Sequence, residues 1–158
     1  LDGASRVILD CGGTIDKFIG DAVMVFFGAP LDQEDHEARA VRVALAMQER
    51  VAELNQSRDP DEQFGIRIGI NSGPVVVGDV GALQRKDYTV IGDTVNTACR
   101  IESFISLDGQ VVIGPATYAA VKDEFDCTEL APVELKGKAE ALTTYRVEGV
   151  NGLIPDDD

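Results

Sequence analysis

Lys17 and Asp21, an ammonium and a carboxylate four residues apart, stand just before a tight turn and within it. They lie in Thr14 to Phe27, Thr-Ile-Asp-Lys-Phe-Ile-Gly-Asp-Ala-Val-Met-Val-Phe-Phe, two β-prone runs joined at Gly20-Asp21. Glycine accepts the positive φ that such turns demand, so the pattern predicts a hairpin with the Asp21 carboxylate at its tip. Strict alternation puts Lys17 on one sheet face with Ile15 and Ile19, and Asp16 and Phe18 on the other. A lysine among apolar neighbours needs a reason. The plain one is a snorkelling stem beside a solvated turn aspartate; the chemical one requires partners elsewhere in the chain.

Asn96 and Arg100 are a second pair with the right chemistry. Gly92-Asp93 predicts the cap of a helix from Thr94 to about Ile105, with Asp93 accepting from the first-turn amides. A spacing of four puts Asn96 and Arg100 on one face while Val95, Ala98, Ile101 and Ile105 turn to the core. An amide beside a guanidinium is a donor array for an anion; the alternative is a surface hydrogen-bonded pair. A third basic feature is the turn Leu135-Lys136-Gly137-Lys138.

The elements that must position these residues can be read in order. Residues 2 to 11 look like the end of a helix stopped by Gly12-Gly13. After the hairpin, Gly28-Ala29-Pro30 breaks the chain and Asp32 is the predicted N-cap of a long amphipathic helix from about Glu34 to Gln56. Its inner face is Ala40, Ala44, Met47, Val51 and Leu54. His36 falls among the acids of its first turn and is read as a solvated residue. Phe64 to Ile70 and Pro74 to Val80, joined by Asn71-Ser72-Gly73, predict a second hairpin, followed by a basic loop from Gly81 to Lys86 and a short strand from Asp87 to Ile91. The glycines at 65, 69, 73, 78 and 81 lack phosphate-loop spacing and are read as places of close backbone packing. The last third reads strand (Gln110 to Ile113), helix (Gly114 to Lys122), strand (Phe125 to Glu134), basic turn and strand (Leu142 to Val147). The fold class is therefore α/β with α+β character, a mixed and mostly antiparallel sheet with helices packed on it.

Composition sets outer limits. At 158 residues with 44% hydrophobic content the chain makes one domain, residues 1–150, with an acidic tail from 151 to 158. A net charge of -14 disfavours a nucleic-acid surface, since phosphate backbones would be repelled. It leaves room for a small phosphate-bearing substrate if a few Lys and Arg are focused in one cleft, with or without divalent metal. Cys11, Cys99 and Cys127 are odd in number and widely spaced, which reads as buried thiols in a reducing, cytoplasmic compartment. No apolar run is long enough to span a bilayer, and the start at Leu1, mid-helix, reads as a piece of a longer protein with regulatory domains.

Taken together, residues 13 to 30, Arg-Ile-Gly-Ile-Asn-Ser-Gly (67 to 73), Tyr-Thr-Val-Ile-Gly-Asp-Thr-Val-Asn-Thr-Ala-Cys-Arg (88 to 100) and Glu-Leu-Lys-Gly (134 to 137) resemble the catalytic domain of class III nucleotide cyclases. The resemblance implies a ferredoxin-like catalytic fold and assigns roles position by position. Asp21 matches a carboxylate that binds two divalent ions, Mg2+ or Mn2+. Lys17 matches the residue that reads the purine edge, and Thr89 its companion, as in the subgroup that includes bicarbonate-responsive cyclases; Val90 and Val95 would wall the pocket. A lysine donor to a ring nitrogen and a threonine acceptor for an exocyclic amine suit adenine, hence ATP, better than guanine. Asn96 matches the residue that orients the ribose, Arg100 the one that meets charge at the α-phosphate, and Lys136 the one that holds the terminal phosphates. The family pairs metal carboxylates of one subunit with base-reading residues of another, which implies a head-to-tail homodimer with its sites at the interface. The family's first strand, with its other metal aspartate, would lie upstream of Leu1. The function so implied is an adenylate cyclase; the alternatives are a silent nucleotide-binding or dimerising domain and a guanylate cyclase.

Overall fold

The computed structural model describes residues 2–82 and 85–151. Helix α1 (Asp2–Asp10) ends as its glycines predict: Gly12 adopts φ +87°, and the Gly13 N–H donates back to the Ile8 carbonyl at 2.9 Å. The first hairpin is β1 (Thr14–Ile19) and β2 (Ala22–Phe26), antiparallel, with Gly20 at φ +60° in the turn. Its alternation is not strict. Ile15 pairs with Val25 but Lys17 with Met24, so Asp16 is an extra residue, a β-bulge. Lys17 therefore does not share a face with Ile15, because the bulge re-aims the residues after it.

Helix α2 (His36–Gln56) starts four residues beyond the predicted cap at Asp32; Asp35 precedes it and pairs with Arg39 at 2.8 Å. Its buried face is Ala38, Val41, Val43 and Ala44, while Leu54 stays exposed. Ala38, Val41 and Ala44 of that face meet the core formed with Val111, Ile113, Val121, Phe125 and Val147. The His36 ring is half-buried near Gly28, 3.4 Å from the Glu37 carboxylate.

The predicted second hairpin does not form. Strand β3 (Ile68–Ile70) pairs in parallel with β6 (Val111–Ile113), and β4 (Val76–Ala82) pairs instead with β5 (Arg85–Ile91) in an antiparallel ribbon. The segment expected as a basic loop, 81 to 86, thus lies mostly in these two strands, and residues 83–84 lie outside the described residues. Two interactions carry the chain across instead of back. Asn71 Nδ2 donates to the Thr94 carbonyl at 3.1 Å, and Thr94 Oγ1 donates to the Pro74 carbonyl at 2.8 Å. Close packing at Gly69 holds β3 down: a Cβ there would lie 2.5 Å from the Glu102 backbone nitrogen.

Helix α3 (Asp93–Arg100) runs into a π-helical turn, Ile101–Ile105, whose Ile101 is fully buried. Asp93 is its first residue, not a cap; the preceding position is Gly92, and the Asp93 carboxylate pairs with Lys138. After β6 come α4 (Pro115–Val121), β7 (Phe125–Glu129) and β8 (Tyr145–Val150). β7 stops at Glu129, short of Glu134, and β8 begins three residues later than Leu142. Within 130–144 the Leu130 N–H donates to the Thr144 carbonyl at 2.9 Å, and Val133 and Leu142 form an isolated bridge. The main sheet has the order β3-β6-β8-β7, parallel at β3/β6 and antiparallel elsewhere, with α2 and α4 packed on it. This is the mixed α+β fold expected. The tail from 152 to 158 lies outside the described residues. No helix among the described residues is long and apolar enough to cross a membrane.

Candidate active site

The hairpin β1–β2, strand β5 and the start of α3 meet at an open cleft of about 390 Å³. Lys17 and Met24 form one wall, Val90 and Ile91 the second, and Val95, Asn96 and Cys99 the third. The size suits a small-molecule ligand. So the structure brings Lys17, Val90, Val95 and Asn96 to one place although 79 residues separate the first from the last. Val90 is buried and supplies the apolar floor. Thr89, one residue earlier, is only 8% exposed, and its hydroxyl donates to Asp16 Oδ2 at 2.7 Å.

Arg100 lies one turn beyond Asn96 on the same helix. Its Nη1 donates to the Lys136 carbonyl at 2.8 Å, so the basic turn is docked on the C-terminal end of α3. Gly137 at φ +86° and the Lys138 N–H bond to Leu135 O, 3.0 Å, close that turn, and buried Leu135 anchors it. The Lys138 ammonium reaches back to Asp93 at the N-terminal end of α3. The loop is thereby pinned at both ends of one short helix. Lys17, Arg100 and Lys136 have no carboxylate partner among the described residues, whereas Arg39, Arg42, Arg67 and Arg146 are all ion-paired. In a chain of net charge -14, Lys17 brings a cation with no carboxylate partner among the described residues to the cleft, which Asp93 also lines, while Arg100 and Lys136 lie outside its lining.

Asp21 is exposed at the hairpin tip and does not line the cleft. Among the described residues no group of three or more His, Cys, Asp or Glu is placed to hold a metal ion. One carboxylate on a turn does not make a metal centre on its own. The three cysteines are free; Cys11 and Cys127 are half-buried but Cys99 is exposed, because it sits on the cleft side of α3 and not on its core side.

A family model described as the adenylate and guanylate cyclase catalytic domain matches residues 14–149, most of the chain. The chain belongs to this family. The cyclase domain is 38% identical over 153 residues to adenylate cyclase 1 of Rhizobium meliloti, an alignment covering 95% of this chain and 23% of that protein. Its fold superimposes on the adenylyl cyclase CyaB from P. aeruginosa with a TM-score of 0.85 at 38% identity, covering 92% of this chain and 76% of that one. On the guanylyl cyclase Cya2 the TM-score is 0.88 at 37% identity, covering 96% and 78%. The cyclase domain therefore has relatives named for either nucleotide, and it spans about a quarter of the length of the Rhizobium meliloti protein.

Sequence reasoning did not find Asp16, Met24, Asp93 in its ion-pairing role, or Lys138. The Asp-Lys juxtaposition at 16 and 17 is visible in the sequence, but the bulge that leaves Lys17 lining the cleft and Asp16 bonded to Thr89 is not. Lys138 was visible only as part of a basic turn.

Proposed function

We propose that the cyclase domain is an adenylate cyclase, forming 3',5'-cyclic AMP and pyrophosphate from ATP. The observation that carries this reading is the shared cleft: Lys17, Val95 and Asn96 line it, and Arg100 follows one helical turn on, with the Lys136 turn attached. Lys17 donates to the purine ring nitrogen and Thr89 accepts from the exocyclic amine, a pattern that fits adenine. Val90 and Val95 exclude water from the base. Asn96 orients the ribose so that its 3'-oxygen is in line with the α-phosphorus. The new bond is 3'-O to phosphorus, the broken one is phosphorus to the bridging oxygen of pyrophosphate, and the hydroxyl proton leaves with solvent. Arg100 sets fixed positive charge where the α-phosphate gains negative charge, and Lys136 holds the leaving phosphates.

Mg2+ or Mn2+ is the proposed cofactor, with Asp21 as one ligand. Asp21 alone does not fit a metal centre, and the steps above are carried by Lys17, Thr89, Asn96, Arg100 and Lys136. The proposed assembly is a head-to-tail homodimer in which one copy's Asp21 serves its partner's cleft, and the proposed location is the cytoplasm. The deciding assay measures cyclic AMP from Mn-ATP and cyclic GMP from Mn-GTP, for this chain and for a longer form with upstream residues, with Asp21→Ala as blank. Cyclic AMP formed faster than cyclic GMP supports the reading. Faster turnover of GTP, or nucleotide binding without turnover in either form, overturns it.

A further inference from the structure

We propose that Asp16 is a specificity-determining positioning residue: by accepting the one hydrogen bond the Thr89 hydroxyl can donate, it leaves Thr89 able only to accept at the purine 6-position, which selects a 6-amino over a 6-oxo base. The inference rests on the reading of Lys17 and Thr89 as the base contacts. A threonine hydroxyl has one proton and two lone pairs, so a free one would serve an amine or a carbonyl equally well. This one is not free. Its Oγ1 lies 2.7 Å from Asp16 Oδ2, the length of a charge-assisted bond, and the residue is only 8% exposed, so bulk water is kept from competing for the proton. What Thr89 has left to offer is lone pairs. A 6-oxo base would need the proton back from a carboxylate, whereas a 6-amino base needs no rearrangement.

The backbone is built for this contact. Ile15 pairs with Val25 and Lys17 with Met24, so Asp16 is the additional residue of a bulge, a device that re-aims side chains. With strict alternation Asp16 and Lys17 would point to opposite faces of β1. With the bulge, Lys17 lines the cleft while the Asp16 carboxylate reaches β5 at Thr89, next to cleft-lining Val90. The same bond ties β1 to β5 and so fixes the distance between the two base contacts.

The test is competition binding of ATP and inosine triphosphate against a fluorescent ATP analogue, using the full chain. The inosine nucleotide carries a carbonyl at the 6-position and differs otherwise only in the adjoining ring proton, which faces Lys17 in every variant. In Asp16→Asn the side-chain amide can donate to Oγ1 and release the hydroxyl proton for a carbonyl, so the preference for ATP falls about tenfold, the worth of one hydrogen bond. Asp16→Ala, which frees the hydroxyl without offering a donor, shifts the preference in the same direction and serves if the amide variant does not fold. Thr89→Val lowers the preference as well, and adding Asp16→Asn to it changes the ratio by less than about twofold, because the two residues act as one unit. A merely structural Asp16 would weaken both nucleotides equally; an unchanged ratio in both Asp16 variants, with wild type still favouring ATP, overturns the inference alone. A wild-type chain that binds inosine triphosphate as tightly as ATP, or binds neither, overturns the base-contact reading and this inference with it.

Discussion

The Arg100 guanidinium is held by the Lys136 carbonyl through Nη1 and by no carboxylate among the described residues, so its charge is oriented but not neutralised. Under the proposed function such a group would act on the transition state more than on the bound substrate. Replacement by alanine is therefore expected to lower kcat by about 100-fold or more while changing KM by a few-fold at most, read from steady-state cyclic nucleotide formation. Lysine should restore little, since a single ammonium cannot both hold the Lys136 carbonyl and present a second donor in a fixed direction. The placement of such residues was legible in the sequence because it depends on type and on a spacing within one element. Asn96 and Arg100 share a face whenever the stretch is helical, and Asp21 is at a tip whenever Gly20 turns. Asp16 was not legible, because a bulge is a property of two strands in register, and the alternation of one strand puts Asp16 on the face opposite Lys17.

At the level of elements, α3 is a bracket for the Leu135–Lys138 turn: Asp93 at its start takes the Lys138 ammonium and Arg100 at its end takes the Lys136 carbonyl. The Asp93 side chain is 72% exposed, so the pair adds little to folding, under about 1 kcal/mol. Its value lies in where it keeps Lys136. Asp93→Ala and Lys138→Ala are expected to leave thermal unfolding nearly unchanged while lowering kcat/KM for the nucleotide about 5- to 10-fold, with salt mimicking part of the effect in wild type. Equal losses of stability and activity would instead mean that the pair only holds the fold. The elements themselves were mostly readable from periodicity, with one instructive error. Residues 64–70 and 74–80 carry a local hairpin pattern, yet β3 crosses to β6 because its isoleucines belong in the core with Val111 and Ile113 and because Gly69 lets it lie against the Ala98–Glu102 backbone. Burial available only in three dimensions overrode the nearest turn signal.

Across the whole molecule the β1–β2 hairpin carries both features: its Lys17 lines the cleft with Asn96, and Asp21 at its tip does not. The tip also exposes Phe18 and Ile19, at 55% and 53%, and the β4–β5 ribbon exposes the cross-strand pair Val76 and Ile91, at 72% and 53%. Apolar side chains left in water beside an incomplete site are what a self-complementary interface would cover. If two copies complete each other's sites, Val76→Asp should leave the fold intact by thermal unfolding, yield a monomer in sedimentation velocity, and abolish turnover, since Val76 lies outside the cleft. The sharper experiment mixes two inactive variants. Asp21→Ala lacks a tip carboxylate and Arg100→Ala lacks the cation at the end of α3, so each mixed dimer contains one intact site and one doubly damaged one. Equal mixing should recover about a quarter of wild-type activity, because random exchange makes half the dimers mixed. A site complete within one chain would give no recovery at any ratio, and activity in Val76→Asp as a monomer would equally rule out shared sites.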